Sequence, residues 1–341
     1  MRIAQVAPLA ESVPPALYGG TERVVSYVTE ELVRLGHDVT LYASGDSQTA
    51  ATLIPGCRRA LWRDPDVRET LPYHVLQNER VFRDADRFDV VHFHGDYIHY
   101  PLVRRERRRT VTTMHGWMYP PDLSALFDEY RDIPLVSISD AQREFIPHAN
   151  WQGTVYHGLP RNEFTLTPQS DGYLAFLGRM SPEKGVERAI DVARRARVPL
   201  KIAGKIYPEE RGYFDERLEP LLRESASFVD FTGELGGPEK QEFLGHARAL
   251  LFPIDWPEPF GLVMIEAMAC GTPTIAWRRG SVPEVIDEGV TGFIVDSVDE
   301  AVRAVERLDS INRPSCRRVF EARFDAARMA ADYVELYGSL C

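Results

Sequence analysis

The feature that most restricts what this chain can fold into is an alternation repeated twice: short runs rich in Val, Ile, Leu and Thr, separated by stretches with helical periodicity. The first series reads RIAQVAP, an amphipathic stretch from Thr21 to Leu35, then HDVTLYAS, DVVHFHG, TVTTMHG and PLVSISD. Runs that are apolar throughout belong to strands buried on both faces, and strands that alternate with helices pair in parallel. Thr21 is placed to cap the first helix and Gly36 to end it. Periodicity is lost from Asn162 to Gly172, which marks a linker. A second series follows: YLAFLGR, PLKIAGK, FVDFTGE, ALLFPID, PTIAW and GFIVDS, with helical patterns between them. A length of 341 residues accommodates two domains. The expectation is an α/β chain of two Rossmann-like doubly wound domains, 1–165 and 166–324, facing a central cleft where ligands bind at the strand C-termini.

Composition narrows the function classes. With 44% hydrophobic and 27% charged residues the chain reads as globular, neither disordered nor collagenous. Cys57, Cys270, Cys316 and Cys341 are spaced too widely for a CxxC pair or a zinc set, which fits a reducing cytoplasm. No apolar run has the length of a membrane span, and MRIAQVAP lacks the apolar core of a secretory signal. The net charge of -11, spread over both halves, argues against nucleic acid as a partner. Lysine is scarce: Lys184, Lys201, Lys205 and Lys240 are all there are. The run Arg104, Arg105, Arg107, Arg108 and Arg109 reads as a solvated helix end.

The chemistry concentrates in PIDWPEPFGLVMIEAMACGTPTIA. Glu258 and Glu266 flank the break Pro259-Phe260-Gly261, after which a helix starts. The amides of Gly261, Leu262 and Val263 should then project as a helix N-terminus, which attracts anions. Glu266, one turn inside, is placed to accept hydrogen bonds from a vicinal diol such as ribose. In FLGRMSPEKG, Arg179 and Lys184 sit at a strand end and could neutralise a diphosphate. Taken singly, the glutamates are equally well helix-start acids and the cations surface partners of acids such as Glu183. Paired with the helix start at Gly261, the two cations make a stronger case for a bound diphosphate. Asp64-Pro65-Asp66 and Asp84-Ala85-Asp86 spell a DxD string but read as solvated acids. His92, His94 and Asp96 alternate on one strand face, where an acceptor-site role for His94 and Asp96 is favoured over a metal.

Together YGGTERV, TMHG, FLGRMSPEKG, TGELGG, EPFGLVMIEAMACGTPTIA and GSVPEVIDEGVTGFIV span nearly the whole chain. With them the sequence resembles family-4 glycosyltransferases of the GT-B fold, especially bacterial members of the kind that decorate the antibiotic avilamycin. The resemblance implies that the first domain binds an acceptor and the second a nucleotide-sugar donor. It implies that Glu258 lies near the donor sugar hydroxyls and Glu266 on the ribose. The diphosphate would lie between Arg179, Lys184, the amides of Gly261 to Val263, and the Gly19-Gly20 loop of the other domain. His115 would approach the sugar's primary hydroxyl, and the backbone at Glu234 and Leu235 the base. The last helix, 325–340, would cross back onto the first domain. Two departures stand out: Tyr156-His157-Gly158-Leu159-Pro160 replaces the usual turn between domains, and the first domain lacks the lysine-rich surface of lipid-modifying relatives.

The resulting expectation is a retaining hexosyltransferase that moves a sugar from a UDP-sugar, or second a GDP-sugar, to a hydroxyl of a small-molecule or saccharide acceptor. It would need no metal or other cofactor and no membrane insertion. A nicotinamide dehydrogenase would need GxGxxG after a strand, and a P-loop enzyme GxxxxGK[ST]; neither motif occurs. A non-catalytic nucleotide-sugar-binding module would keep Arg179, Lys184 and Glu266 but lose sugar-side groups, whereas Glu258 and His115 are both here.

Overall fold

A computed structural model describes every residue except Tyr18, Asp96, Arg107, Arg108, Tyr119, Pro120 and Cys341. The strands are β1 Arg2–Val6, β2 Asp38–Ser44, β3 Thr52–Cys57, β4 Val90–Phe93, β5 Thr110–Thr113, β6 Leu135–Ser137 and β7 Trp151–Thr154, then β8 Leu174–Leu177, β9 Leu200–Ala203, β10 Val229–Gly233, β11 Ala249–Phe252, β12 Thr274–Trp277 and β13 Gly292–Val295. The helices before the second sheet are α1 Gly20–Arg34, α2 Leu71–Asp84, α3 Tyr100–Glu106, α4 Pro121–Glu129 and α5 Asp140–Arg143. Those after β8 are α6 Val186–Ala196, α7 Arg211–Tyr213, α8 Glu219–Glu224, α9 Gly237–Gly245, α10 Leu262–Ala269, α11 Val282–Val285, α12 Val298–Arg307, α13 Arg313–Arg323 and α14 Ala326–Ser339. Two compact units result: Met1–Gly158 joined by the segment from Ala326 onward, and Leu159–Asp325.

The first unit is built on a parallel sheet of order β3-β2-β1-β4-β5-β6-β7. Its central strands are enclosed on both faces: Ile3, Ala4, Val6, Val90, Val91 and Phe93 are all buried. The edge strands β3 and β7 do not announce themselves in the sequence. Pro55 and Gly56 interrupt TLIPGC, which only an edge tolerates, and both strands stay partly exposed and so carry no continuous apolar run. Thr21 does not cap α1: the helix begins at Gly20, with Gly19 as its N-cap at φ 149°. A side chain at Gly19 would meet Pro15 Cβ at 2.7 Å, so the loop closes only around glycine. In α14 the buried Tyr333 and Tyr337 turn inward, and their hydroxyls reach Thr113 on β5 at 2.9 Å and His92 on β4 at 2.6 Å.

The second unit carries a parallel sheet of order β10-β9-β8-β11-β12-β13. In both sheets the strand order reverses beside the first strand, giving a switch point between β1 and β4 and another between β8 and β11, where ligands of such sheets bind. The boundary expected at 165/166 lies earlier, at Gly158/Leu159. The physical reason is that the polar stretch after Asn162 is laid onto the second unit. Thr167 N–H donates to Cys270 O at 3.0 Å, and the Arg313 guanidinium donates to Thr167 O at 2.7 Å and Ala247 O at 2.8 Å. A π-helical turn, Phe214–Leu218, lies between α7 and α8.

Candidate functional site

The site of the second unit forms where β8 and β11 end. The backbone leaves β8 through Gly178 and Arg179, and Gly204 at the end of β9 packs so tightly that a Cβ would stand 1.7 Å from Gly178 O. Arg179 donates to Glu183 Oε1 at 2.9 Å and to Glu210 Oε1 at 3.0 Å. A 3-10 turn, Pro182–Lys184, then aims Lys184 Nζ at Glu258 Oε2, 2.6 Å away. Trp256 Nε1 donates to the same oxygen at 3.0 Å, and the lysine ammonium lies 4.6 Å from the centre of the Trp256 ring. This pair is largely withdrawn from water, with side-chain exposures of 15% and 12%. Loss of either partner would leave a poorly solvated charge, which typically costs about 3 to 5 kcal/mol.

Gly261, in the left-handed region at φ 80°, caps α10 and lets the chain turn sharply from Glu258 into the helix. The first amide with an intrahelical partner is that of Met264, which donates to Gly261 O at 3.0 Å. Those of Leu262 and Val263 precede it in the first turn, the electropositive end of a helix. Glu266 lies one turn in, buried, and accepts from Lys240 Nζ of α9 at 2.6 Å. Gly280 holds the other side of the loop: a Cβ there would approach Glu258 O to 2.3 Å, and Ser281 N–H donates to that oxygen at 3.0 Å. Glu234 and Leu235 follow β10, and Glu234 Oε1 is enclosed without a hydrogen-bond partner. Sequence reasoning missed Lys240, Trp256 and Glu210. The signal for Lys240 was the scarcity of lysine, since Lys184 and Lys240 each close on one of the two glutamates.

In the first unit a chain of imidazoles runs behind the strand ends. His94 Nε2 lies 2.6 Å from Gln5 Oε1, and His94 Nδ1 lies 2.9 Å from His115 Nε2. Gln5 Nε2 donates to Tyr337 Oη at 3.1 Å, so its Oε1 must accept. His94 therefore carries its proton on Nε2 and accepts at Nδ1, which makes His115 Nε2 the donor and leaves His115 Nδ1 as a bare acceptor. That Nδ1 is enclosed and has no partner. Burial keeps these rings neutral, holding His115 at about 3 and His94 well below the usual histidine range. The His115 ring stacks on His157, 5.2 Å between centres.

His92, read with His94 and Asp96 as a candidate cluster, is fully buried, and both its nitrogens are engaged, by Tyr337 at 2.6 Å and Thr113 at 2.7 Å. Asp96 falls outside the described residues. Beside this chain lies a cavity of about 280 Å³, walled by the ends of β1, β4 and β5, with His94, His115, Asn78, Tyr97 and Trp117 among its lining. Among the described residues, no group of three or more His, Cys, Asp or Glu is placed to hold a metal. Asp64 pairs with Arg58 and Arg59, and Asp84 accepts from Tyr42, whereas Asp66 and Asp86 are exposed. Arg104 is held by Glu129 and Asp132. No helix among the described residues is long and apolar enough to cross a membrane.

Two doubly wound units, one with paired cations, paired carboxylates and a glycine-capped helix at its switch point, present a site suited to a phosphorylated ligand. The family is fixed by comparison: residues 18–151 match Glycosyltransferase Family 4 and residues 162–321 match Glycosyl transferases group 1. The chain belongs to the glycosyltransferases with the GT-B fold. It is 25% identical to O-antigen chain mannosyltransferase C of Escherichia coli over 96% of each chain. It is also similar to the crystal structure of AviGT4, a glycosyltransferase involved in avilamycin A biosynthesis, at 26% identity and TM-score 0.73, covering 100% of this chain and 98% of that one. A GDP-mannose-dependent alpha-mannosyltransferase of Corynebacterium glutamicum is 34% identical over 37% of this chain and 28% of its own length. In fold the chain also matches Anabaena HepE, solved with UDP, at TM-score 0.76 and 18% identity, covering 99% of this chain and 100% of that one.

Proposed function

We propose that this glycosyltransferase transfers a hexose from a nucleotide diphosphate sugar with retention of anomeric configuration and without a metal ion. The observation that carries the reading is the pairing of Lys184 with Glu258 beside the Gly261-capped start of α10. On this reading Arg179, Lys184 and the amides of Gly261, Leu262 and Val263 hold the diphosphate. Their positive charge stabilises the leaving group, the role a metal ion plays elsewhere. Glu266 accepts from the ribose hydroxyls, and Glu258 lies against the sugar.

In the transfer step the bond from the anomeric carbon to the β-phosphate oxygen breaks. The acceptor oxygen bonds to the same face of that carbon, and its proton passes to the departing phosphate oxygen. Glu258 stabilises the positive charge that grows on the sugar ring. A UDP-sugar is the first candidate donor, in line with the UDP complex of HepE. A GDP-sugar is the second, favoured by the unpartnered carboxylate oxygen of Glu234, which suits the paired N–H groups of guanine, and by the mannosyltransferase relatives. The buried free thiols Cys57, Cys270 and Cys316 suit work in the cytoplasm. The test is transfer from UDP-glucose and GDP-mannose in excess EDTA, with the product's anomeric configuration read by NMR. The α-linked product in undiminished yield is expected; a β-linked product, or activity restored only by added magnesium or manganese, would overturn the reading.

A further inference from the structure

We infer that the cavity of the first unit binds the acceptor, and that the acceptor it selects is a single uncharged sugar-like ring rather than a phosphorylated or carboxylated one. The inference rests on the transferase reading above and adds the chemical class of its second substrate. Three observations support it.

The first is charge. Among the described residues that line the cavity there is no Lys, Arg, Asp or Glu. Its buried imidazoles, His94, His99 and His115, are held neutral by burial, the last two at about 3. His74, half-buried, is the fourth imidazole of the lining. A phosphate or carboxylate brought here would lose its water without meeting a Lys or Arg among the described lining residues, and buried charge without a partner is strongly disfavoured. The first turn of α1 reaches the lining at Thr21, where it brings a partial positive charge but no side-chain cation.

The second is the character of the wall. A pyranose is amphipathic, with hydroxyls at its edge and C–H groups on its faces. Tyr97 and Trp117, each 41% exposed, line the cavity and can cover such a face. Asn78 contributes an amide, both donor and acceptor, for the hydroxyl edge.

The third is size. At about 280 Å³ the cavity lies at the lower edge of the roughly 300 to 1,000 Å³ range of small-molecule pockets, enough for one ring and its substituent.

The test uses methyl α-D-mannopyranoside and methyl α-D-glucopyranoside against glucose 6-phosphate and glucuronate. Binding to the full chain is followed by saturation-transfer NMR, with and without UDP or GDP. The neutral glycosides should bind, the anionic sugars at least tenfold more weakly. Trp117→Ala and Tyr97→Ala should each lose at least tenfold of the glycoside affinity while keeping their circular dichroism and nucleotide binding. The inference is overturned if the anionic sugars bind as well as the neutral ones. It is also overturned if neither glycoside binds with or without nucleotide, or if both variants bind like the wild type. Failure of the transferase reading would look different: no UDP or GDP binding by calorimetry, whatever the glycosides do.

Discussion

At the scale of single residues, each of the two motif glutamates has its own lysine. Glu258 is matched with Lys184 and Glu266 with Lys240, both at 2.6 Å. The two pairs have different tasks, and substitutions should separate them. If Arg179 and Lys184 hold the diphosphate as proposed, Lys184→Ala and Arg179→Ala should each weaken nucleotide binding by about 1.5 to 3 kcal/mol in calorimetry. Unchanged affinity in both would remove the phosphate assignment. Lys240→Met leaves Glu266 buried without its cation, so the variant should bind UDP or GDP more weakly and unfold at lower urea. A variant that matches the wild type in both respects would show that Lys240 does not hold Glu266 in place.

At the scale of elements, α14 is tied to the strands by hydroxyls. Tyr337 Oη takes a hydrogen bond from Gln5 and lies 2.6 Å from His92 Nδ1, deep between β1, β4 and the helix. Tyr337→Phe keeps the ring but leaves the Gln5 amide and the His92 nitrogen buried and unpaired, which should cost about 1 to 3 kcal/mol in urea unfolding. A loss below about 0.5 kcal/mol would mean that the network is not maintained in solution. The central strands and most of the helices could be read from the sequence, because burial on both faces writes a continuous apolar run. The edge strands β3 and β7 could not, since half-exposed strands broken by Pro55 or Gly153 carry no such run. The site divides in the same way. Glu258, Gly261 and Glu266 are neighbours in sequence and legible as one motif, whereas Lys240, Glu210 and the Gln5–His94–His115 chain are brought together by tertiary packing alone.

At the scale of the whole molecule, the buried histidines tie stability to pH. His99 and His115 are neutral when folded, at about 3, whereas unfolded histidines take up protons near 6.5. The unfolded chain therefore binds more protons below that value, and stability must fall as pH drops from about 6.5 toward 3. Urea midpoints measured at pH 7.5, 6.5, 5.5 and 4.5 should decline steadily, and His99→Gln should flatten that decline; a midpoint independent of pH would contradict the buried neutral state. Ligand should act on stability by mass action, so saturating UDP or GDP should raise the melting temperature.

The central claim is that the second unit binds a nucleotide diphosphate sugar with Glu266 on the nucleoside and Glu258 on the reacting sugar. Calorimetric titration of UDP and GDP into the wild type, Glu266→Ala and Glu258→Gln, paired with donor hydrolysis at saturating donor, tests it most directly. The account predicts that Glu266→Ala loses about 1.5 to 3 kcal/mol of nucleotide affinity. Glu258→Gln should keep nucleotide affinity near the wild-type value while its turnover falls, because its interaction strengthens only as charge develops on the sugar. Equal losses of affinity in both variants with normal turnover in Glu258→Gln, or no binding of either nucleotide by the wild type, would contradict it.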